Sequence, residues 1–224
     1  MTRCVVIFDV DGTLYHQRTL RYSILRELLW HWTKHPITGL ETIRILREFR
    51  KVRDRLRDFV TENLEDNQYR IPSEHLGVSV DKVRNVVQEW IEKRPLRYLG
   101  GCTYPGLVSW WELLQERGVS VGVYSDYPST DKLQAMGLRA DAVVSSTDPD
   151  VDAMKPSPAG LLRVLEKVQV TRERALFVGD RREKDEACAR AAGIAYLHIE
   201  PTETCSPYPP PIKLLPHWLR DSLG

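Results

Sequence analysis

Cysteine is scarce in this chain of 224 residues: there are four, Cys4, Cys102, Cys188 and Cys205, with no CxxC pair and no metal-type spacing. That argues against a disulfide framework or a zinc site and leads us to expect a reducing, cytoplasmic setting. Long apolar runs are also missing. The one near the N-terminus is broken by Asp9 before it reaches the length of a leader's apolar region, and nothing approaches the roughly 20 residues of a membrane-spanning helix. Neither export nor a membrane anchor is therefore expected. Nor is there an excess of one charge: 32 Lys and Arg face 31 Asp and Glu, a net charge of +1. Such a chain offers nucleic acid or an anionic membrane no global attraction. What is present, 42% hydrophobic and 28% charged residues, suffices for one good core with a smaller attached domain.

In the stretch CVVIFDVDGTLY an apolar strand runs into Asp9, Asp11, Gly12 and Thr13. After Leu14 comes an Arg-rich stretch to about Leu99. Within it Ile45, Phe49, Val52, Leu56 and Phe59 recur at alternating steps of four and three, the period of an amphipathic helix. An earlier helix is predicted from about Leu20 to Trp32, with Ile24, Leu28 and Trp32 on one face, and a later one from Ser79 to about Ile91. No strand interrupts them. From Cys102 onward, short β-rich runs (VSVGVYSD, DAVVSS, RALFVGD, IAYLHIE) alternate with helices starting near Gly106, Ser129, Ser157 and Arg182. This alternation predicts an α/β fold, a parallel sheet covered by helices on both faces. The opening strand belongs with that sheet. Residues 1–14 and 100–224 thus read as the core, and 15–99 as an all-helical insertion. In the tail, three consecutive prolines favour an extended connection, after which Ile212, Leu215 and Leu219 are expected to dock on the core.

The polar residues at the strand ends form a set. Asp9 and Asp11 follow the first strand, Ser125 and Asp126 end VSVGVYSD, Lys155 lies in MKPSP, and Asp180 ends RALFVGD, with Asp185 five residues later. Ligands of open α/β sheets bind outside the carboxyl ends of the strands, so these residues would converge there. Single aspartates after strands commonly cap turns and helices. A whole set at the same end points to chemistry instead.

In order and spacing, DVDGT, YSD, KPSP and GDRREKDEACARAAG resemble the four motifs of the haloacid dehalogenase superfamily. The resemblance implies a Rossmann-like core with a helical cap inserted after the first motif, and a phosphatase of the phosphoglycolate phosphatase kind. By that resemblance Asp9 is the nucleophile, which forms an aspartyl phosphate. Asp11 would be the general acid and base, and its presence favours a phosphatase over the superfamily's dehalogenases and ion pumps, with phosphotransfer as an alternative. Mg²⁺ would be the cofactor, held by Asp9, the main-chain carbonyl of Asp11, Asp180 and Asp185. Lys155 would offset the phosphoryl charge, while Ser125, Asp126 and the amides near them would hold the phosphoryl oxygens. The expected partner is a small phosphorylated substrate such as phosphoglycolate or a sugar phosphate, and the protein a monomer or homodimer.

Relatives often carry Gly where this chain has Asp152, three residues before Lys155, which puts the approach of that loop in question. DPDVD imitates the start of a calcium loop, but Ala153 and Ala159 replace its Gly and Glu, so calcium is not expected. Lys34 and Lys51 lie on charged helix faces, which disfavours a Schiff-base phosphonate hydrolase. Finally, IPSEHLGVSVDKVRNVVQEWI is similar to a helix-turn-helix, and the insertion is net basic by roughly five charges. Asp81, Glu89 and Glu92 on its second helix suit DNA phosphates poorly, so nucleic acid remains the lesser alternative. Among Arg18, Arg21, Arg44, Arg47, Arg50 and Arg53, periodicity does not say which face the site.

Overall fold

Every residue of β1 (Val5–Phe8) is apolar and fully buried, because a strand at the centre of a sheet covered on both faces has no wet side. Val6 and Phe8 enter one apolar cluster, while Val5 and Ile7 enter another on the opposite face. Each such side chain contributes about 1.5–3 kcal/mol by leaving water. The computed structural model describes residues 3–58, 63–200 and 206–223. In it β1 pairs in parallel with β2 (Ser120–Ser125) and β4 (Ala175–Gly179), and the sheet is completed by β3 (Ala142–Ser145) and β5 (Ala195–His198) in the order β3-β2-β1-β4-β5. This is the predicted α/β fold, a Rossmann-like parallel sheet.

Between β1 and β2 the chain is helical: α1 (Gln17–Lys34), α2 (Pro36–Asp58), α3 (Leu64–Leu76), α4 (Val80–Val87, continued by a wider turn Gln88–Lys93), α5 (Leu96–Cys102) and α6 (Leu107–Glu116). The periodicity in α2 is used twice. Ile45 and Phe49 pack with Tyr69, Val83 and Val87, whereas Val52 and Leu56 pack with Leu64 and Met154 from beyond β3. Phe59 lies outside the described residues. In α1 the expected apolar face is only half realised: Ile24 and Leu28 are half-buried, but Trp32 is exposed. Tyr15, which follows β1, and Thr103, which precedes α6, form a single antiparallel bridge.

The remaining helices are α7 (Thr130–Ala135), α8 (Ala159–Val168), α9 (Ala187–Ala192) and α10 (His217–Leu223). Leu161 and Val164 of α8 and Cys188 and Ala189 of α9 cover one face of the sheet, while Leu107 and Trp111 of α6 cover the other. Leu215 and Leu219 dock on that second face as expected, but Ile212 is exposed, since its short turn precedes the buried segment. Cys4, Cys102 and Cys188 are free and buried, and Cys205 lies outside the described residues. Among the described residues no helix is long and apolar enough to cross a membrane.

Candidate active site

The register places Phe8 beside Val123 on one side and Val178 on the other, so the three central strands end side by side. Asp9, Ser125 and Asp180 therefore meet at one edge of the sheet. Asp9, Asp180 and Asp185 offer carboxylate oxygens that all lie within 4.8 Å of one another. Lys155, 3% exposed, donates to Asp9 and, at 2.8 Å, to Asp185. Thr13 Oγ1 donates to Asp9 at 3.0 Å and sits 3.4 Å from Asp180. The Arg181 amide donates to Asp185 at 3.0 Å. Two glycines make this crowding possible. A Cβ on Gly12, whose φ is +101°, would overlap the Asp180 carboxylate, and one on Gly179 would lie 2.6 Å from Asp185.

The electrostatics fit a divalent cation. Three carboxylates against one buried ammonium leave excess negative charge at the centre of the cluster. Burial, with repulsion from Asp185 and Asp180, pushes Asp9 up to about 7 even though Lys155 opposes the shift. Burial also raises Asp180, again with a contribution from Asp185. The donors are all hard oxygens, the kind Mg²⁺ prefers. A pH effect follows with a definite sign. Asp9 ionises at an ordinary 3.8 when unfolded but near 7 when folded, so its contribution to stability is full below 3.8 and is lost as pH rises through about 7. Asp11 and Asp126 are shifted downward, so their contributions change at lower pH, outside this window. In excess chelator the Tm is expected to fall between about pH 5 and about pH 8, and Mg²⁺ at about pH 8 to restore it. A Tm that rises over the same interval would contradict this assignment.

Asp11 is brought to the same cleft but not into the carboxylate cluster. Its Oδ1 accepts from Lys132 Nζ at 2.6 Å and from the Tyr15 hydroxyl. Burial would raise its pKa, but the Lys132 charge and these two hydrogen bonds outweigh burial and hold it below the ordinary carboxylate range. Ser125 is buried at the end of β2, and its Oγ accepts from the Tyr127 amide at 3.3 Å. The Asp126 carboxylate is turned to Arg57, at 3.2 Å, and to the Lys155 amide, at 3.3 Å, while its carbonyl accepts from Ser146 Oγ at 2.8 Å. Its side chain thus ties the Lys155 loop to α2.

Sequence reasoning missed Lys132, Tyr15 and Arg57, and it left the orientation of the other arginines open. Arg53 is buried, donates to the Asp126 carbonyl at 2.5 Å and lies 4.2 Å over the Tyr127 ring. Arg50, Arg53 and Arg57, at i, i+3 and i+7, flank the apolar stripe of α2 on its site-facing side. With Gln17, Arg21, Arg181 and Lys184 they line a cleft of about 180 Å³ that contains Asp9, Asp11 and Lys155. The doubt about Asp152 also resolves. It adopts φ +41°, and its carboxylate accepts from the Asn63 and Leu64 amides at 2.7 and 2.6 Å, capping α3.

The segment similar to a helix-turn-helix packs on α2. Val83 and Val87 are buried against α2, Lys82 pairs with Glu41 at 2.6 Å, and Arg84 pairs with Glu65 at 2.8 Å.

A family model described as haloacid dehalogenase-like hydrolase matches residues 5–193. The chain is similar to a phosphoglycolate phosphatase of Rhodospirillum rubrum, 35% identical over 99 residues, which cover 42% of this chain and 40% of that protein. It is also similar to a phosphoglycolate phosphatase of Pseudomonas savastanoi pv. phaseolicola, 25% identical over 201 residues, 87% of this chain and 68% of that one. Thus the chain spans well under half of the first relative's length and about two thirds of the second's. A solved HAD phosphatase structure from Thermococcus onnurineus shares the fold, with a TM-score of 0.60 at 22% identity, covering 93% of this chain and 90% of that one. Because the family match runs from the first residue of β1 to the end of α9, through every strand end that supplies a carboxylate to the cleft, the chain belongs to the haloacid dehalogenase-like hydrolases.

Proposed function

We propose that the protein is a Mg²⁺-dependent phosphatase that hydrolyses a small phosphorylated metabolite through an aspartyl phosphate on Asp9. One observation carries this reading. A buried carboxylate at the end of the central strand is held between Lys155 and two further carboxylates, with a second aspartate, Asp11, gripped separately beside it. In the first step an Asp9 oxygen bonds to phosphorus as the bond to the leaving oxygen breaks, and Asp11 delivers its proton to that oxygen. In the second, Asp11 takes a proton from water as the water oxygen bonds to phosphorus and the Asp9–phosphorus bond breaks, releasing inorganic phosphate. In the resting site Lys132 favours ionised Asp11. An arriving anionic phosphoryl group opposes that bias, since a like charge raises a carboxyl's pKa.

Mg²⁺, held by Asp9 and Asp180 with Asp185 and the Asp11 carbonyl, would supply Lewis-acid neutralisation of the phosphoryl charge. Lys155 supplies a fixed ammonium for the same purpose, and Ser125 with the amides that follow β2 would hold phosphoryl oxygens. Residues 15–99 serve as a cap over the core formed by 1–14 and 100–224, joined through the Tyr15–Thr103 bridge.

The cap's cations suggest the substrate class. Arg21 and Arg50 line the cleft, and among the described residues they make no hydrogen bond or ion pair and the buried Arg57 Nε has no partner. They suit a second anionic group, a carboxylate or phosphate, on the substrate, in keeping with the phosphoglycolate phosphatase relatives. Arg50→Ala and Arg21→Ala are expected to lower kcat/KM for the preferred doubly anionic ester by about 30-fold or more, against about threefold or less for a small aryl phosphate. Equal losses on both would make the cap a passive lid. The function itself is tested by a panel of phosphorylated metabolites and an aryl phosphate with Mg²⁺. Release of phosphate that stops in chelator supports it, and no hydrolysis of any member overturns it.

A further inference from the structure

We infer that Lys132 is a positioning residue for the general acid and base, aiming the Asp11 carboxylate at the leaving group of the substrate. The inference rests on the proposed role of Asp11 and goes beyond it, because Lys132 belongs to none of the four motifs that carry the family resemblance.

Lys132 lies in the first turn of α7, where a lysine would ordinarily reach solvent. Here its side chain is 6% exposed, with Nζ 2.6 Å from Asp11 Oδ1. Ordering and burying a long cationic side chain is costly unless it is paired, and Asp11 is the only ion pair Lys132 makes among the described residues. Tyr15, from the segment where the chain leaves the core, donates to the same oxygen. Two donors on Oδ1 fix the tilt of the carboxylate. No hydrogen bond among the described residues engages Oδ2, and Asp11 lines the cleft. The oxygen left over is the one that can carry the proton to and from the reacting centre. Lys132 itself does not line that cleft, so it acts through Asp11 and not on the substrate.

A merely structural lysine and a positioning lysine differ in one measurable way. When the leaving oxygen is a strong base, the rate depends on proton delivery; when it is a stabilised aryloxide, it depends far less. The experiment measures kcat/KM for a series of phosphate monoesters, from nitrophenyl phosphate to alkyl phosphates, with Lys132→Met, Lys132→Arg, Tyr15→Phe, Asp11→Asn and the double variant Asp11→Asn/Lys132→Met. Because kcat/KM covers steps up to departure of the leaving group, hydrolysis of the intermediate does not enter it.

Lys132→Met is expected to lose about 10- to 100-fold more on alkyl than on nitrophenyl esters, in the same order as Asp11→Asn. Lys132→Arg should recover part of that loss, and Tyr15→Phe should show a smaller loss of the same kind. In the Asp11→Asn background Lys132→Met should cost under about threefold further. A loss equal across the series, or one that adds fully to that of Asp11→Asn, would show Lys132 to be structural and overturn the inference. If Asp11→Asn itself showed no leaving-group dependence, the failure would instead lie with the proposed role of Asp11. Lys132→Arg and Tyr15→Phe keep the test open should Lys132→Met fold poorly, since a lack of selective loss in both would also count against the inference.

Discussion

Asp9→Asn is expected to reduce phosphate-ester turnover by at least about 10⁴-fold while leaving the protein folded. The amide has the shape of the carboxylate but is a far weaker nucleophile, so under the proposed mechanism no acyl phosphate should form. Stability should move the other way. Asp9 is one of three carboxylates crowded around Lys155, and repulsion from its neighbours helps push its pKa up to about 7. Removing one negative charge relieves that repulsion, so in chelator at about pH 8 the variant should melt at or above the parent Tm. Turnover assays and thermal melts on the same preparation check both halves. Substantial residual turnover would move the nucleophile elsewhere. An inactive variant with a sharply lower Tm would leave the loss of activity open to a trivial explanation.

Replacing Lys155 should have the opposite balance, with stability and activity lost together. Lys155 is buried between Asp9 and Asp185, and truncating one partner of a buried pair leaves charge with nothing to offset it. Lys155→Met is expected to cost about 3–5 kcal/mol of unfolding free energy by urea titration at about pH 8 in chelator. Hydrolysis should fall by about 10² to 10³-fold or more, as for loss of a charge-stabilising group. Adding Asp185→Asn should return part of the stability, because it removes one of the stranded charges, but none of the activity, because the ammonium proposed to neutralise the phosphoryl group is still missing. That split separates the two uses of one side chain. A Lys155→Met protein of unchanged stability would mean that the buried pair is not holding the site together.

How far the sequence leads can be read from particular residues. The all-apolar run of β1 and the strand-helix alternation after Cys102 determined the sheet, because a strand buried on both faces has no other composition available to it. Asp9, Ser125, Lys155 and Asp180 were legible as a set, because in a parallel sheet every strand's carboxyl end lies at one edge. In α2 the period of Ile45, Phe49, Val52 and Leu56 announced a packed face, and with it the flank on which Arg50, Arg53 and Arg57 stand. It did not say what lay across from that flank. Lys132 and Tyr15 carried no signal, since a lysine in a helix and a tyrosine after a strand are ordinary locally, and only packing across 121 residues of chain brings Lys132 to Asp11. Asp152 is the reverse case: it stood out in the sequence as an obstacle, and the structure shows its carboxylate capping α3 from 88 residues away. By itself the sequence determined the backbone and the edge where chemistry can occur, because hydrophobic period and strand polarity are local and repetitive. Only the tertiary structure decided which charges are paired and which are left for a ligand, because that depends on single side chains meeting across the cleft, where burial makes an unmatched charge expensive.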